Sequence, residues 1–374
     1  MSMPEPPHRQ PHTVLMALSG GVDSSVAAHL LQRQGCELIA VTLRMDEDAS
    51  NGEDGGSSCG GGSAIDSARR AADSLGIRHV VIDARKEFES QVLRPSWDAY
   101  ARGETPSPCI LCNERIKFGL LLQKAAALGA DKVATGHYAR IQRDALGIPH
   151  IARGTDPAKD QAYFLFALSP AQLEKVLFPL GELSKTEVRG IAAAIGLSTA
   201  DRKDSQDACF ALSPEGFAES LRLKFGAPAA CGPVLDGEGR ILRARHGGLH
   251  RFTIGQRRGF GFSVGQKAFV RALRPEDSAV ILTWDESDLL TREMRVRCAP
   301  GGLPALQFRC EVQIRSRHRA APAEVEALPS SETSEGIREA RVIFDAPQRA
   351  VTPGQAAVFF QGGMVVGGGW IQRN

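Results

Sequence analysis

Hydrophobic residues in the first half of the chain form short continuous runs separated by spaced apolar positions. Val14 to Leu18 is an apolar run too short for a core helix, and Glu37 to Leu43 and Arg78 to Ile82 predict two further strands. Between these runs the apolar spacing predicts one helix from Val22 onward and another over Ser63 to Leu75. Strands that alternate with helices are typical of an α/β protein with a parallel, doubly wound sheet, which binds ligands at the carboxyl ends of its strands.

The pattern continues with shorter segments. Glu87 to Tyr100 has helical spacing that Pro95 interrupts, and Asp131 to Thr135 predicts another strand. Pro170 to Gly196 predicts two short helices with a break at Pro179. A helix over Ser213 to Phe225 is then expected to follow a domain boundary.

The segment from Gly103 to Lys117 holds two closely spaced cysteines. Pro106 and Pro108 predict that no helix begins before Cys109, and Asn113 is a suitable cap for a helix ending near Leu128. Cys112 is therefore expected just before a helix N-terminus. That position lowers a thiol pKa and favours the nucleophilic thiolate.

Beyond Gly226 the chain changes to short alternating strands with Gly and Pro turns, which suggests small β domains. The clearest predicted strands are Ala268 to Leu273, Ala279 to Thr283, Phe308 to Arg315 and Ala357 to Phe360. We expect a disordered tail over residues 1–12 and three domains over 13–212, 213–285 and 286–374, of which the last is a C-terminal β-barrel domain.

Composition is that of a globular protein, with 43% hydrophobic and 24% charged residues among 374. No apolar run approaches the roughly 20 residues needed to span a bilayer. The Pro-rich start, Met1 to His12, has no signal-peptide core. These features predict a cytoplasmic protein that does not engage a membrane.

Charge is informative only locally, because the net charge is +2. From Arg240 to Pro275 there are eight arginines and one lysine with no Asp or Glu. Such a stretch is typical of a polyanion-binding surface, although a solvated basic face has the same composition.

The eight cysteines are too few for a disulfide framework in a chain of this length. We interpret four as packing residues, Cys36, Cys231, Cys298 and Cys310. Cys59 lies in a Gly-rich stretch, Asp46 to Gly62, that we expect to be a mobile loop.

The turn after the first strand carries the first chemical signal, S-G-G-V-D-S from Ser19 to Ser24. Gly20 and Gly21 permit a tight turn, and exposed N–H groups backed by a helix N-terminus suit an anion. The string lacks the lysine of a Walker A loop. It resembles the PP-loop of ATP pyrophosphatases, which adenylate a substrate and release pyrophosphate.

Further motifs make the resemblance specific. They are L-C-N-E-R-I-K-F from Leu111, A-T-G-H-Y-A-R from Ala134, K-D-Q-A-Y-F-L from Lys159, K-D-S-Q-D-A-C-F from Lys203, H-G-G-L-H-R-F-T-I-G-Q-R-R-G from His246, T-P-G-Q from Thr352 and G-G-G-W-I from Gly367. Together they are similar to the tRNA-specific 2-thiouridylase family, tRNA sulfurtransferases that convert the wobble uridine of certain tRNAs to 2-thiouridine. The resemblance covers most of the chain. It implies a PP-loop ATP pyrophosphatase domain followed by a small central domain and a C-terminal β-barrel-like domain.

The resemblance also implies roles for individual residues. Those at family ATP-binding positions are Ala17, Leu18, Ser19, Gly20, Gly21, Val22, Asp23, Ser24, Leu43 and Gly136. Those at target-base positions are Ser107, Pro108 and Cys109, and those at tRNA-binding positions are Lys159, Asp160, Gln161, Arg315 and Ser316. Cys112 occupies the catalytic nucleophile position and Cys209 the persulfide-bearing position.

The implied reaction begins with adenylation of the uracil C2 oxygen and release of pyrophosphate, supported by Mg²⁺ with Asp23 as a candidate ligand. Sulfur then comes from a Cys209 persulfide, and Cys112 forms a disulfide bond with Cys209. Many family members carry Asp in a general acid/base role where this chain has Cys109. The change creates C-x-x-C, so Cys109, Cys112 and Cys209 form an alternative ligand set for a [4Fe–4S] cluster or a zinc ion.

The expected partners are tRNA and a persulfide-donating sulfur carrier or cysteine desulfurase. Two alternatives stay open at this point. One is another PP-loop amidating or adenylating synthetase, which would yield AMP without a thiolated product. The other is a catalytically inactive tRNA-binding protein.

Overall fold

The structure, a computed structural model, describes residues 12–46, 62–197, 216–263, 265–299, 303–328 and 339–373. Residues 1–11 of the tail predicted over 1–12, most of the predicted mobile loop with Cys59, and Cys209 lie outside these ranges.

The first described elements belong to the N-terminal half of the chain. They are β1 (Thr13–Ala17), α1 (Val22–Arg33), β2 (Glu37–Arg44), α2 (Gly62–Ser74), β3 (Arg78–Asp83), α3 (Arg85–Phe88), α4 (Arg94–Ala101), α5 (Pro108–Leu111), α6 (Leu121–Ala127), β4 (Lys132–Ala134), β5 (Ala139–Arg143), β6 (Pro149–Arg153), α7 (Ala162–Leu165), α8 (Pro170–Leu173), β7 (Val176–Leu177) and α9 (Lys185–Ala194). Two π-helical segments, Glu89–Leu93 and Cys112–Leu120, join α3 to α4 and α5 to α6.

The remaining elements are mostly strands. They are α10 (Phe217–Lys224), β8 (Val234–Leu235), β9 (Ile241–Arg243), β10 (Phe269–Arg274), β11 (Ala279–Thr283), β12 (Leu290–Cys298), β13 (Gln307–Gln313), β14 (Ala321–Ala327), β15 (Glu339–Arg349), β16 (Ala356–Gln361) and β17 (Met364–Ile371). Short 3₁₀ turns occupy Leu249–Arg251 and Glu286–Leu289.

β1 lies at the centre of a parallel sheet with the strand order β3-β2-β1-β4-β7. Alternate residues of β1 face opposite sides of the sheet. Leu15 packs with Phe88 and Ile116, whereas Val14 and Met16 pack with apolar residues of α1, α2 and α9. Because both faces are covered by helices, the central strand is apolar from Val14 to Ala17. The predicted α/β, doubly wound fold is confirmed.

Two further sheets follow, of which the larger is antiparallel and the smaller is mixed, because β8 and β11 pair in parallel. β12 to β17 close into a barrel, because β17 pairs with both β16 and β12. The barrel interior is filled by Val296, Val312, Val342 and other apolar side chains. A smaller sheet with the order β10-β11-β8-β9 has its own apolar core. The predicted small central domain and C-terminal β-barrel-like domain are confirmed.

The hairpin of β5 and β6 extends the C-terminal sheet, although it belongs to the first half of the chain. Ala152 of β6 pairs with Met364 of β17, and Arg153 N donates to Gly363 O at 2.9 Å. Neither this hairpin nor β7, the edge strand of the parallel sheet, was predicted from the sequence. Through this pairing the hairpin holds the barrel beside the N-terminal half of the protein.

The predicted start of the cysteine-bearing helix is wrong. The helical backbone begins at Pro108 and continues through the π-helical segment to Ala127, with Ser107 as its N-cap. Proline suits the first helical turn, since its missing N–H would have no helical partner there. Cys112 therefore lies in the second turn, and Asn113 does not cap the helix but donates to Phe164 O at 3.0 Å.

The interruption predicted at Pro95 is also absent from the backbone. Residues 85–101 stay helical, because the π-helical segment Glu89–Leu93 shifts the hydrogen-bond register immediately before Pro95.

Candidate active site

The loop from Ser19 to Ser24 is held by its own hydroxyl groups. Ser24 Oγ donates to Gly21 O at 3.1 Å and accepts from Ser19 N at 3.3 Å. Gly20 has φ +73°, and a Cβ there would lie 2.6 Å from Ser67 Cβ, so glycine is required at this turn. The loop ends at the N-terminus of α1, where backbone N–H groups are available to an anion.

A cavity of about 210 Å³ opens beside this loop. Seven of the ten predicted ATP-binding residues line it, namely Ala17, Leu18, Ser19, Asp23, Ser24, Leu43 and Gly136. The other three, Gly20, Gly21 and Val22, form the turn and the start of α1. The arrangement places an apolar wall from β2 at one end and the loop at the other.

Seven further residues line the cavity that were not predicted to bind ATP, namely Val41, Thr42, Met45, Lys117, Thr135, His137 and Gln161, the last of which was predicted to bind tRNA. Thr42 Oγ1 donates to Leu18 O at 2.8 Å, which ties β2 to the strand end before the loop. Position alone could have found several of them, because Thr42 and Thr135 lie at the carboxyl ends of predicted strands.

Asp23 is the carboxylate of the loop, and two side chains contact its Oδ1 atom. Tyr138 donates its hydroxyl at 2.7 Å, and the ammonium group of Lys185 lies 2.7 Å away. Neither partner was predicted from the sequence. They come from the segment after β4 and from the N-terminus of α9, so only the fold brings them to the loop.

Gly136 lies close to the loop backbone. A Cβ at this position would be 2.8 Å from Ser24 N and 2.9 Å from the carbonyl carbon of Asp23. The absence of a side chain therefore lets the end of β4 approach the start of α1. Next to it, His137 Nδ1 and Thr135 Oγ1 are 2.7 Å apart, and burial holds the pKa of His137 well below its usual value.

The predicted target-base residues begin the cysteine-bearing helix. Ser107 hydrogen-bonds to the Tyr163 hydroxyl, which also donates to Ala356 O at 3.0 Å, and burial raises the pKa of Tyr163. Cys109 is half-buried, and Cys112 is 2% exposed.

The C-terminal T-P-G-Q motif supports the loop that leads into this helix. Gln355 Nε2 donates to Thr105 O at 2.9 Å and to Pro106 O at 3.3 Å, and Thr105 N donates to Pro353 O at 2.9 Å. A Cβ on Gly354 would lie 2.9 Å from Glu104 Cβ. The motif thus holds the backbone of residues 104–106, although the two segments are about 250 positions apart in the sequence.

Both groups of predicted tRNA-binding residues meet at Arg153. Its guanidinium lies 2.7 Å from Asp160 Oδ2 and donates to Gln313 Oε1 at 3.0 Å. Gln313 Nε2 in turn donates to the carbonyl oxygens of Arg315 and Ser316. Asp160 also accepts from the backbone N–H groups of Gly154 and Ala162. Its contacts therefore shape this surface, whereas Ser316 is exposed on it.

The other two members of the first group are placed differently. Gln161 Oε1 accepts from Tyr138 N at 2.9 Å and lies in the lining of the nucleotide cavity. Lys159 is half-buried in the turn before it.

Comparison with known proteins agrees with these features. Three family models match in order: the tRNA methyl transferase HUP domain over residues 12–213, the tRNA methyl transferase PRC-barrel domain over 223–283 and the aminomethyltransferase beta-barrel domain over 293–371. The tRNA-specific 2-thiouridylase MnmA of Heliobacterium modesticaldum is 44% identical over 97% of this chain and 93% of its own length. The chain belongs to the tRNA-specific 2-thiouridylase family.

Other members are similar over their whole length. The MnmA protein of Solibacter usitatus is 41% identical over 99% of this chain and 100% of its own, and that of Moorella thermoacetica is 44% identical over 96% and 99%. The resemblance inferred from the motifs is confirmed, and so is the class of enzyme, a tRNA sulfurtransferase.

The arginine-rich stretch is less uniformly basic in the fold than in the sequence. Acidic side chains that lie outside the stretch in sequence form salt bridges with five of its basic residues, namely Arg240, Arg251, Lys267, Arg271 and Arg274. Within the described part of the chain, four exposed arginines of the stretch form no salt bridge with an acidic side chain, namely Arg243, Arg245, Arg257 and Arg258, although the charge of Arg257 contributes to the lowered pKa of Glu286. The polyanion-binding signal is therefore concentrated on these four.

The possible metal ligands can be tested only in part, since Cys209 is outside the described residues. In the described ranges, no group of three His, Cys, Asp or Glu side chains is arranged to hold a metal ion. Cys109 and Cys112 are three positions apart in one helix, so their thiols lie on the same face. They supply two of the three thiolates in the alternative ligand set.

No helix in the described ranges is long and apolar enough to span a membrane.

Proposed function

We propose that this chain catalyses ATP-dependent 2-thiolation of the wobble uridine in tRNA anticodons. The observation that carries the proposal is a shared structural element: the helical segment 108–127 holds Cys109 and Cys112 and also lines the nucleotide cavity through Lys117. A site that activates a base with ATP and then delivers sulfur needs nucleotide and thiol in this proximity.

The first step is transfer of AMP from ATP to the uracil C2 oxygen. The N–H groups of the Ser19 to Ser24 loop stabilise the charge that develops on the departing pyrophosphate. Asp23 is the one carboxylate among the described residues that line the cavity, and it fits Mg²⁺, which commonly binds one or two carboxylates together with substrate phosphates. When bound, the ion would neutralise phosphate charge.

The second step replaces the activated oxygen by sulfur. The Cys112 thiolate attacks the Cys209 sulfur of a Cys209 persulfide, which forms a Cys112 to Cys209 disulfide and expels hydrosulfide. Hydrosulfide adds to C2 of the adenylated base, and AMP leaves with the original oxygen. A cellular dithiol must then reduce the disulfide, and a sulfur carrier or cysteine desulfurase must rebuild the persulfide.

Cys109 has two candidate roles. It lies in the first turn of the helix, in the position where many relatives place a general acid/base, and its half-buried thiol can exchange a proton with the base. Alternatively, Cys109, Cys112 and Cys209 hold a [4Fe–4S] cluster, for which the described structure supplies two ligands on one helical face.

We assign tRNA recognition to the surface around Arg153, with Lys159, Arg315 and Ser316. Four exposed arginines of the basic stretch contribute as well, namely Arg243, Arg245, Arg257 and Arg258. A stacked wobble base must be splayed out to reach the thiols, as single-stranded RNA recognition generally requires. We assign catalysis to the domain over residues 13–212, further tRNA contacts to the central domain over 213–285, and Arg315 with Ser316 to the C-terminal β-barrel domain over 286–374, and we place the protein in the cytoplasm.

The test is tRNA thiolation with ATP and a persulfide donor, using anaerobically purified protein whose iron and acid-labile sulfide are measured. The variants are Cys109→Ser, Cys112→Ser and Cys209→Ser, with Cys231→Ser as a matched control outside the site. We expect wild type and Cys231→Ser to form 2-thiouridine, and Cys112→Ser and Cys209→Ser to form none while still releasing pyrophosphate.

Other outcomes assign the chain differently. If the wild-type protein holds four irons per chain and all three site variants lose them, the cluster route would be assigned in place of the persulfide route. AMP without thiolated tRNA, undiminished in Cys112→Ser, would indicate an amidating synthetase. Absence of ATP–pyrophosphate exchange with tRNA would indicate an inactive RNA-binding protein.

A further inference from the structure

Lys117 is the one lysine or arginine among the described residues that line the nucleotide cavity. It reaches the cavity from the cysteine-bearing helix, whereas the loop amides and Asp23 come from the β1 to α1 connection. The cavity therefore has its anion-binding loop on one side and a separate cation on the wall that adjoins the thiols.

The neighbouring imidazole does not share this charge. His137 is buried, its ring lies 5.8 Å from that of Phe118, and burial together with nearby Lys117 lowers its pKa well below the usual value. His137 is consequently neutral at physiological pH. The positive charge on this wall at neutral pH comes from Lys117.

The π-helical segment sets the direction of Lys117. In an α-helix, residues five apart are rotated by about 140° and face different sides. A π-helix joins residue i to residue i+5, so Cys112 and Lys117 lie one turn apart on nearly the same side. Their axial separation is at most about 7.5 Å.

We propose that Lys117 binds the α-phosphate of ATP, and that the π-helical turn from Cys112 to Lys117 places the adenylated carbon of the base between this cation and the thiol. The inference rests on the proposed function and assigns to it a residue that couples activation to sulfur delivery. π-Helical turns occur frequently at functional sites, which agrees with a direct role for this one.

The step that Lys117 would assist is the transfer of AMP to the base. The uracil C2 oxygen attacks the α-phosphorus, the bond from that phosphorus to the bridging oxygen breaks, and pyrophosphate leaves with the electron pair. The N3 proton of uracil passes to water. Negative charge increases on the α-phosphate oxygens and the bridging oxygen in the transition state, where the Lys117 ammonium stabilises it.

The experiment measures tRNA-dependent pyrophosphate release in a Cys112→Ser background, which isolates the first step. Lys117→Met and Lys117→Arg are compared with Lys124→Met, an exposed lysine of the same helical segment. We expect Lys117→Met to lower the maximal rate by about 100-fold or more with a smaller change in KM for ATP. Lys117→Arg should recover part of the rate, and Lys124→Met should match its parent.

A Lys117→Met variant with the parent rate would overturn the inference. Equal losses in Lys117→Met and Lys117→Arg, with melting temperatures lowered alike, would assign Lys117 a structural role and also overturn it. Wild-type protein that forms 2-thiouridine shows that the proposed function stands in either case. Wild-type protein that releases no pyrophosphate with tRNA would instead contradict the proposed function.

Discussion

The ammonium nitrogen of Lys185 lies 2.7 Å from Oδ1 of Asp23, so the first residue of α9 is ion-paired to the phosphate loop. A cation at a helix N-terminus opposes the helix dipole, which makes this an unfavourable position unless a carboxylate compensates. The Lys185 side chain is 12% exposed and that of Asp23 is 35% exposed, so water screens the pair only from the side of the carboxylate. The contact fixes the orientation of the only carboxylate described in the cavity lining.

Replacing Lys185 by Met is expected to lower the free energy of unfolding by about 1–3 kcal/mol, because Asp23 would keep a partly buried charge with fewer partners. We also expect a higher KM for ATP, since the Asp23 carboxylate would repel phosphate once its counter-charge is lost. Chemical denaturation and steady-state kinetics measure the two effects. Lys185→Arg should retain most of both, and equal behaviour of Met and Arg variants would refute the ion-pair explanation.

Gly136→Ala tests the close approach of β4 to the loop. The added Cβ would lie 2.8 Å from Ser24 N, so the loop must shift and ATP affinity should fall at least about tenfold. Isothermal titration with a non-hydrolysable ATP analogue measures this loss. Gly190→Ala is the control, because a Cβ there meets no atom within 4 Å in α9. Unchanged affinity in Gly136→Ala would show that the approach is unimportant.

Gln355→Leu tests the support of the loop before the cysteine-bearing helix. Loss of the bonds to Thr105 O and Pro106 O should let residues 104–107 move and lower the rate of thiolation about tenfold or more. ATP affinity should stay the same, because these residues are outside the nucleotide cavity. Gln361→Leu removes a comparable side chain to backbone bond, to Arg309 O, away from the site. Equal effects of the two substitutions would contradict this assignment.

Glu219 gives a pH-dependent contribution to stability. Hydrogen bonds from Arg222, followed by the contact with His250 and the charge of Arg251, lower its pKa from 4.5 to about 2. A depressed acid pKa stabilises the fold above the unfolded-state pKa, and this stabilisation is lost as pH falls from about 4.5 toward 2.

Glu219→Gln should therefore destabilise the protein by about 3 kcal/mol at pH 7, because it leaves half-buried Arg222 and exposed Arg251 without the counter-charge of a buried carboxylate. The difference from wild type should shrink between pH 5 and pH 3 in denaturant titrations. Exposed Glu238 provides the control variant Glu238→Gln. A difference that does not change with pH would show that the Glu219 charge is not responsible.

The parallel sheet and the loop were predictable because their signals are local. Val14 to Leu18 is apolar on both faces, and the glycines of the following turn permit the positive φ that Gly20 adopts there. The N-terminus of the cysteine-bearing helix was missed for an equally local reason. Pro108 was interpreted as excluding a helix, although proline is favourable in the first turn.

Contacts between distant segments were beyond sequence reasoning. Lys185 and Asp23 are 162 positions apart, and Gln355 and Thr105 are 250 apart, so neither pairing leaves a periodic signal. The hairpin of β5 and β6 was missed because it is completed by β17, near the other end of the chain. The roles assigned to Cys209 and to the tRNA-contacting residues stay predictions.

In the proposed reaction, ATP activates the same oxygen atom that sulfur replaces. The most direct measurement uses tRNA whose wobble uracil carries ¹⁸O at C2, incubated with enzyme, ATP and a persulfide donor. Mass spectrometry then locates the label. We predict one ¹⁸O atom in AMP for each 2-thiouridine formed. Label in water or pyrophosphate, with unlabelled AMP, would contradict adenylation of the base and with it the function proposed for this site.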